Sequence, residues 1–243
     1  MSIIKLNAID STNDFLKDLM RNQSVENFTT VVANSQTKGR GQMGTQWQSE
    51  EGNNLIMSCL VKDLSICIED VFVLNCLVSV AIVKALNELE VPKLSIKWPN
   101  DIMSDTKKIA GILIENAIKP DSTFMSVVGI GLNVNQKHFI ELPNASSMSI
   151  QTEREFDLDS VLEKVLSQLN YYYNIAKERE VDQLWDLYQQ YLFKKKVPAV
   201  FEDARGKRFM GIINQVNRQG KLEVQLEDDS IQQYTIKEIK MIY

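Results

Sequence analysis

Four short constellations carry residues that could do chemistry. Asp10-Ser11-Thr12-Asn13 sets two hydroxyls and an amide where a helix would open. Such residues cap the free N–H groups of a first helical turn. Alternatively, the same groups face a pocket and hydrogen-bond a polar ligand ring. Gln36-Thr37-Lys38-Gly39-Arg40-Gly41-Gln42-Met43-Gly44 follows, with Trp47 just beyond. Its glycines fit G-x-G-x-x-G, but a dinucleotide fingerprint needs a helix opening at the loop. This sequence runs through Gly52-Asn53-Asn54 into a strand instead. A glycine-rich loop bearing Arg40 still suits an anion, because backbone N–H groups approach a carboxylate or phosphate closely and the guanidinium adds a charged fork. A plain surface loop is the other account.

Lys97-Trp98-Pro99-Asn100-Asp101 leads to Lys107-Lys108-Ile109-Ala110-Gly111-Ile112-Leu113. Pro99 stiffens the chain where a strand gives way to a loop. A lysine entering an apolar strand puts an ammonium at the sheet edge, suited to a phosphate or a developing oxyanion. A charged hairpin is the plainer account, and it fits Lys107 better than Lys108. Finally, Gly129-Ile130-Gly131-Leu132-Asn133-Val134-Asn135 is an apolar run ending in residues that mark turns anyway.

These residues need elements to hold them. The pattern predicts strands at 3–6, 29–33, 55–61 and 94–97, and strand-length apolar runs at 109–116 and 125–130. Ser11 opens a helix to about residue 20. Residues 70–89 form a helix apolar on most faces, hence largely buried. Asp157 starts an amphipathic helix, and a further one carries Leu184, Leu187, Tyr188 and Tyr191. After Lys194-Lys195-Lys196 the character changes to four short strands, 197–201, 209–216, 222–226 and 233–236, separated by turn signals. That is a small all-β module of the size of an SH3-like barrel, with a boundary near 194.

Composition narrows the partners. The chain has 243 residues, 44% apolar and 24% charged, the balance of an ordinary soluble protein. Residues 1–194 carry 18 Lys/Arg against 25 Asp/Glu, and residues 195–243 carry 9 against 7. Neither part has the basic footprint of a nucleic-acid binder. Cys59, Cys67 and Cys76 fit no metal-ligand spacing and read as free thiols in a reducing compartment. His138 is the single histidine, which weighs against zinc sites and Ser-His-Asp catalysis. No signal pattern opens the chain. Its most apolar stretch, 71–86, is too short and too interrupted to span a bilayer. A cytoplasmic protein without membrane contact is expected.

Taken in order, Ser-Thr-Asn, Gly-Arg-Gly-x-x-Gly with its Trp, Lys-Trp-Pro-Asn-Asp, Lys-x-Ala-Gly-Ile-Leu and Gly-x-Gly-x-Asn closely resemble the biotin–protein ligase family. The resemblance covers roughly the whole chain, and Lys-Trp-Pro-Asn-Asp is its most specific element. It implies an α+β fold, with a mixed-sheet biotin/lipoate-ligase-like catalytic domain over 1–194 and a C-terminal SH3-like β barrel over 195–243. It implies that biotin's carboxylate attacks the α-phosphate of ATP, giving biotinyl-5′-AMP and pyrophosphate. A lysine of a biotin carboxyl carrier protein then attacks the mixed anhydride. Two anions must meet, so such a site needs cations and Mg²⁺.

By the family pattern, Ser11, Thr12 and Gln36, with Asn13 beside them, hold the ureido ring of biotin. Gly39, Arg40, Gly41 and Gln42 wrap the carboxylate and then the adenylate. Lys108, with Gly111 near it, reaches the carboxyl–phosphate junction. Trp47 covers the adenylate and Asn133 takes the adenine edge. Asn100 and Asp101 face the phosphates and magnesium, Asp101 being the metal ligand and the acceptor of a proton from the attacking amine. Lys108, Arg40 and Asp101 form the implied catalytic set.

Two departures stand out. Some family members begin with a DNA-binding winged helix. This chain starts at the catalytic segment, so a monofunctional enzyme with no nucleic-acid partner is expected, as monomer or homodimer. Many members also carry a second Arg where this chain has Gln42, which implies a looser hold on the adenylate. The alternatives are a lipoate–protein ligase-like enzyme and a non-catalytic biotin-binding homologue. The pairing of Lys-Trp-Pro-Asn-Asp with the β tail argues against the first, and intact Lys108 and Asn100 against the second.

Overall fold

In a computed structural model of the chain, residues 2–64, 72–118, 124–178 and 180–242 are described. Strand β1 (Ile3–Ile9) runs parallel to β2 (Thr30–Gln36), with helix α1 (Thr12–Asn22) between them in sequence. Ser11 caps α1 as expected, its Oγ accepting the Asp14 N–H at 3.4 Å. The other ladders are antiparallel. They join β3 (Asn54–Lys62), β4 (Leu94–Lys97), β5 (Asp101–Ser104), β6 (Lys107–Ile118) and β7 (Phe124–Asn133) into a seven-stranded sheet of order β1-β2-β3-β7-β6-β5-β4.

Strand β3 shows how the sheet separates core from site. Side chains alternate between faces. Leu55, Met57, Cys59 and Val61 join the main core with helices α2 (Phe72–Glu88), α4 (Leu158–Lys177) and α5 (Val181–Tyr191). Leu60 packs instead with Leu16 of α1, Val31 and Val127 in a second cluster. Ser58 shares that second face and is fully buried. Helix α2 is buried almost all round, as its composition requires; the expected start at Asp70 lies outside the described residues, as does Cys67. Cys59 and Cys76 are free and buried.

A short helix, α3 (Met148–Thr152), precedes α4. The tail holds five strands, not four: β8 (Pro198–Asp203), β9 (Arg208–Val216), β10 (Leu222–Gln225), β11 (Ile231–Tyr234) and β12 (Ile239–Ile242). They form an antiparallel sheet of order β11-β10-β9-β8-β12. Strand β5, which follows directly on the loop signal Pro99-Asn100, and strand β12 escape sequence reading. The apolar core runs unbroken from the large sheet into the small one, where Phe201, Ile213, Leu222 and Val224 join Ile96 and Tyr188. Trp98 Nε1 donates to the Gly220 carbonyl at 2.9 Å, and the Phe193 N–H to that of Ile96 at 2.8 Å. These ties hold residues 236–240 against the large sheet, at the mouth of the site.

Candidate active site

A cavity of about 390 Å³ opens on the α1 face of the large sheet, roofed by the glycine-rich loop. Its inner end is polar and buried. Gln36 Oε1, at the end of β2, accepts the Thr12 N–H at 2.7 Å and lies 3.0 Å from the Thr12 hydroxyl. Ser58 Oγ lies 2.7 Å from Thr12 Oγ1 and 2.5 Å from Asn13 Oδ1. Asn13 Nδ2 donates to Glu115 Oε2 at 2.7 Å. Ser11 therefore caps the helix, and Ser11, Thr12 and Asn13 all line the cavity.

The outer end is charged. Asp101 and Gly111 are register partners across β5 and β6. Lys108 Nζ sits 2.6 Å from Asp101 Oδ1, and Lys97 Nζ lies 3.9 Å from Oδ2. Burial pushes the Lys97 ammonium below its ordinary value; Asp101 opposes this and the charge of Lys240 adds to it. Lys107 turns elsewhere, donating to the Pro143 carbonyl at 2.5 Å. Lys108 is thus the lysine of the pair that faces the cavity.

Between the two ends lies a strip of glycine. Gly111 and Gly131 face each other across β6 and β7, and the Trp47 indole rests on them. A Cβ on Gly131 would stand 2.4 Å from the indole and one on Gly111 2.9 Å from it. Lys108 Nζ is 5.4 Å from the ring centroid, within cation–π reach. Trp47 Nε1 is buried without a hydrogen-bond partner among the described residues.

Arg40 hangs over the rim and is already paired. Its Nη2 donates to Asp14 Oδ1 at 2.6 Å and to Glu115 Oε2 at 3.1 Å. Lys17 bridges the same two carboxylates at 2.8 and 2.9 Å. Burial works against the charge of Glu115, but hydrogen bonds from Asn13 and Lys17 and the charges of Lys17 and Arg40 hold its carboxyl below the ordinary glutamate range.

Most of the expected residues meet in this one cavity, Gly41, Gln42 and Asn100 among them. Two do not line it. Gly39 is buried under the loop, its carbonyl accepting the Trp47 N–H at 3.0 Å. Asn133 is 3% exposed, with Nδ2 donating to the Ser146 carbonyl and Oδ1 unpartnered among the described residues. Asn100 also spends its Nδ2 within the protein, on the Ile112 carbonyl at 2.7 Å. Sequence reading missed Ser58 and Glu115, although Ser58 is a lone hydroxyl in an apolar run, which is a usable signal. It also missed Ile236 and Lys240, which the small sheet lends to the cavity; nothing local in the sequence marks them. No cluster of three or more His, Cys, Asp or Glu that could hold a metal occurs among the described residues. No helix among them is long and apolar enough to cross a membrane.

Known proteins resemble this chain in sequence and in fold. The model of the Biotin/lipoate A/B protein ligase family matches residues 6–133. The chain is 34% identical over 169 residues to the bifunctional ligase/repressor BirA of Bacillus subtilis, covering 68% of this chain and 51% of that protein. It is 32% identical over 121 residues to the biotin–[acetyl-CoA-carboxylase] ligase of Mycobacterium tuberculosis, covering 49% and 44%. The chain spans about half the length of the curated relatives it matches. Among solved structures it resembles the biotin protein ligase from Aquifex aeolicus in complex with biotin and ATP, with a TM-score of 0.81 and 27% identity over 99% of this chain and 98% of that one.

Proposed function

The chain belongs to the biotin/lipoate A/B protein ligase family, and on that premise we propose that it is a biotin–protein ligase. In this reading it forms biotinyl-5′-AMP from biotin and ATP, then transfers the biotinyl group to a lysine of a biotin carboxyl carrier protein. The observation that carries this is the polarity of the cavity. A buried end rich in neutral hydrogen-bonding groups suits the ureido ring, and a cationic outer end suits a carboxylate and a phosphate.

Biotin enters ring first, to Ser11, Thr12, Asn13 and Gln36. Its chain crosses the glycine strip, and its carboxylate reaches Lys108 and Arg40. Both cations are held by internal carboxylates, Asp101 for Lys108 and Asp14 with Glu115 for Arg40. An incoming anion exchanges with those partners, so the cations need no long reorganisation. Lys108 then stabilises the charge that develops where carboxylate meets α-phosphate. The buried, unpartnered Asn133 Oδ1 is an acceptor that an adenine amino group could satisfy. Trp47 and Gln42 close over the adenylate as the loop settles. In the second step Asp101, relieved of Lys108, takes the proton from the attacking lysine.

Magnesium screens the phosphates when bound. A site offering one carboxylate, Asp101, suits an ion that arrives on the nucleotide better than a resident one. In this reading residues 1–194 carry the chemistry, and residues 195–243 complete the mouth through Ile236 and Lys240. The deciding experiment is pyrophosphate release from ATP with biotin, and with lipoate in its place. Release with biotin alone is expected. Release driven by lipoate, or by neither acid, overturns the reading.

A further inference from the structure

We propose that Glu115, though it does not line the cavity, sets the direction of the hydrogen bonds at the buried end and so selects a ring that donates N–H groups. The inference rests on the reading of that end as the seat of biotin's cyclic urea.

The argument follows the protons. An amide such as that of Asn13 can be turned either way round, and its neighbours decide. An ionised carboxylate only accepts, so Asn13 must present Nδ2 to Glu115, at 2.7 Å, and turn Oδ1 toward Ser58. That carbonyl also only accepts, so Ser58 Oγ, 2.5 Å away, donates to it. A hydroxyl has one proton. Ser58 therefore has none left for Thr12 Oγ1 at 2.7 Å and can only accept there. Thr12 therefore sends its own proton across the 2.7 Å contact to Ser58, while Gln36 Oε1, another acceptor, takes the Thr12 N–H at 2.7 Å. The Thr12 hydroxyl proton is spent inside the protein.

What Thr12 and Asn13 retain for a ligand is lone pairs. The donors left beside them are the Ser11 hydroxyl and Gln36 Nε2. Two acceptors with two donors complement a cyclic urea, which offers two N–H groups and one carbonyl. A dithiolane ring, as in lipoate, has no N–H and would leave buried acceptors unmatched, the situation in which a polar site rejects an analogue strongly. Two features of the fold protect the relay. Strand β7 has Gly129 where the Asn13 carbonyl turns in, and a Cβ there would lie 2.5 Å from Oδ1. Lys17 and Arg40 keep Glu115 charged, hence acceptor-only, at neutral pH.

Two variants test this. Glu115→Gln keeps the shape but can donate to Asn13 Oδ1, which lets the Asn13 amide reverse. Ser58→Ala cuts the relay in its middle and touches neither Arg40 nor Lys17. Biotin binding to the intact protein is measured by calorimetry, and the Michaelis constants for biotin and ATP by pyrophosphate release. Leaving one buried polar contact unmatched predicts a loss of about tenfold or more in biotin affinity for both variants, and in Ser58→Ala a rise in the Michaelis constant for biotin well beyond any change in that for ATP. Wild-type biotin affinity in either variant overturns the inference while leaving the proposed function intact. Equal losses toward biotin and ATP overturn it as well, because they mark general damage. A wild-type protein that binds no biotin overturns the reading of the site, and the inference with it.

Discussion

The two ends of the cavity are built on opposite principles. At the inner end the groups are neutral except Glu115, sit on or just ahead of helix α1 or on an interior strand, and are held in place by one another before a ligand arrives. At the outer end the groups are charged. One of them, Arg40, rides on the loop, and each is satisfied by a counter-charge that a ligand must displace. The first arrangement is rigid and directional, and recognises shape. The second is poised and exchangeable, and handles charge. An enzyme that joins two anions needs both: a fixed grip on one part of the substrate, and cations that become available where the reaction occurs.

The largest effect belongs to the outer end. Replacing Lys108 with Ala removes the cation at the reacting junction and should slow adenylate formation by about 10²-fold or more. Lys107→Ala, whose side chain serves the Pro143 carbonyl, should stay near wild type. Biotin affinity should fall much less than the rate, because the inner end is untouched. If Lys108→Ala lost binding and rate equally, the two ends would not be separable.

Next in size is the strip that joins them. Gly131→Ala puts a methyl 2.4 Å from where the Trp47 indole now lies. Overpacking of this kind costs about 1–3 kcal/mol. The indole should lift, giving a red-shifted tryptophan emission, and biotin should bind about tenfold or more weaker, because its chain crosses the same strip. Unchanged emission would show that the loop does not depend on the glycine pair.

The same contrast explains what the sequence discloses. Part of the inner end was legible because residues 11–13 form a local cap motif, while Gln36, read as the start of a loop, entered only through the family resemblance and proves to end β2. Lys108 was legible from its place ahead of an apolar strand. The relay was not, because it joins Asn13, Ser58 and Glu115 across α1, β3 and β6, and such long-range register is invisible to spacing. The contribution of the small sheet was hidden for the same reason: Ile236 and Lys240 reach the mouth through the shared core and the docking of Trp98 on Gly220. The core helices and the main strands followed from periodicity, whereas β12 is set by its distant partner β8.

A smaller effect separates the ends by pH. Glu115 titrates below its ordinary value in the folded protein. The unfolded chain therefore binds its proton first as pH falls, and stability declines through that window. The contribution is complete above the unfolded glutamate value and is lost as pH drops through the folded one. Glu115→Gln has no such titration. The gap in melting temperature between wild type and variant should be constant well above the ordinary glutamate range and shrink as the pH falls through and below that range. A gap that stays constant throughout would mean that the carboxyl is not held by its neighbours.

The smallest effect concerns the loop that spans both ends. Gln42 lines the cavity from the glycine-rich loop. It can donate hydrogen bonds but brings no charge, and charge-assisted contacts to phosphate are roughly twice as strong as neutral ones. Gln42→Arg should therefore slow the release of biotinyl-AMP by a few-fold, with adenylate formation little changed. Lys38, in the same loop, is a candidate to compensate for the missing charge. In the structure its ammonium is bound to Asp10 at 2.8 Å and both groups are exposed, so exchange to a phosphate is inexpensive. Lys38→Ala should then speed release. Stopped-flow dissociation of the adenylate from the three proteins orders them: Gln42→Arg slowest, wild type between, Lys38→Ala fastest. If Gln42→Arg releases the adenylate as fast as wild type, retention does not depend on charge in the loop, and the hold on the adenylate must come from the fixed inner end.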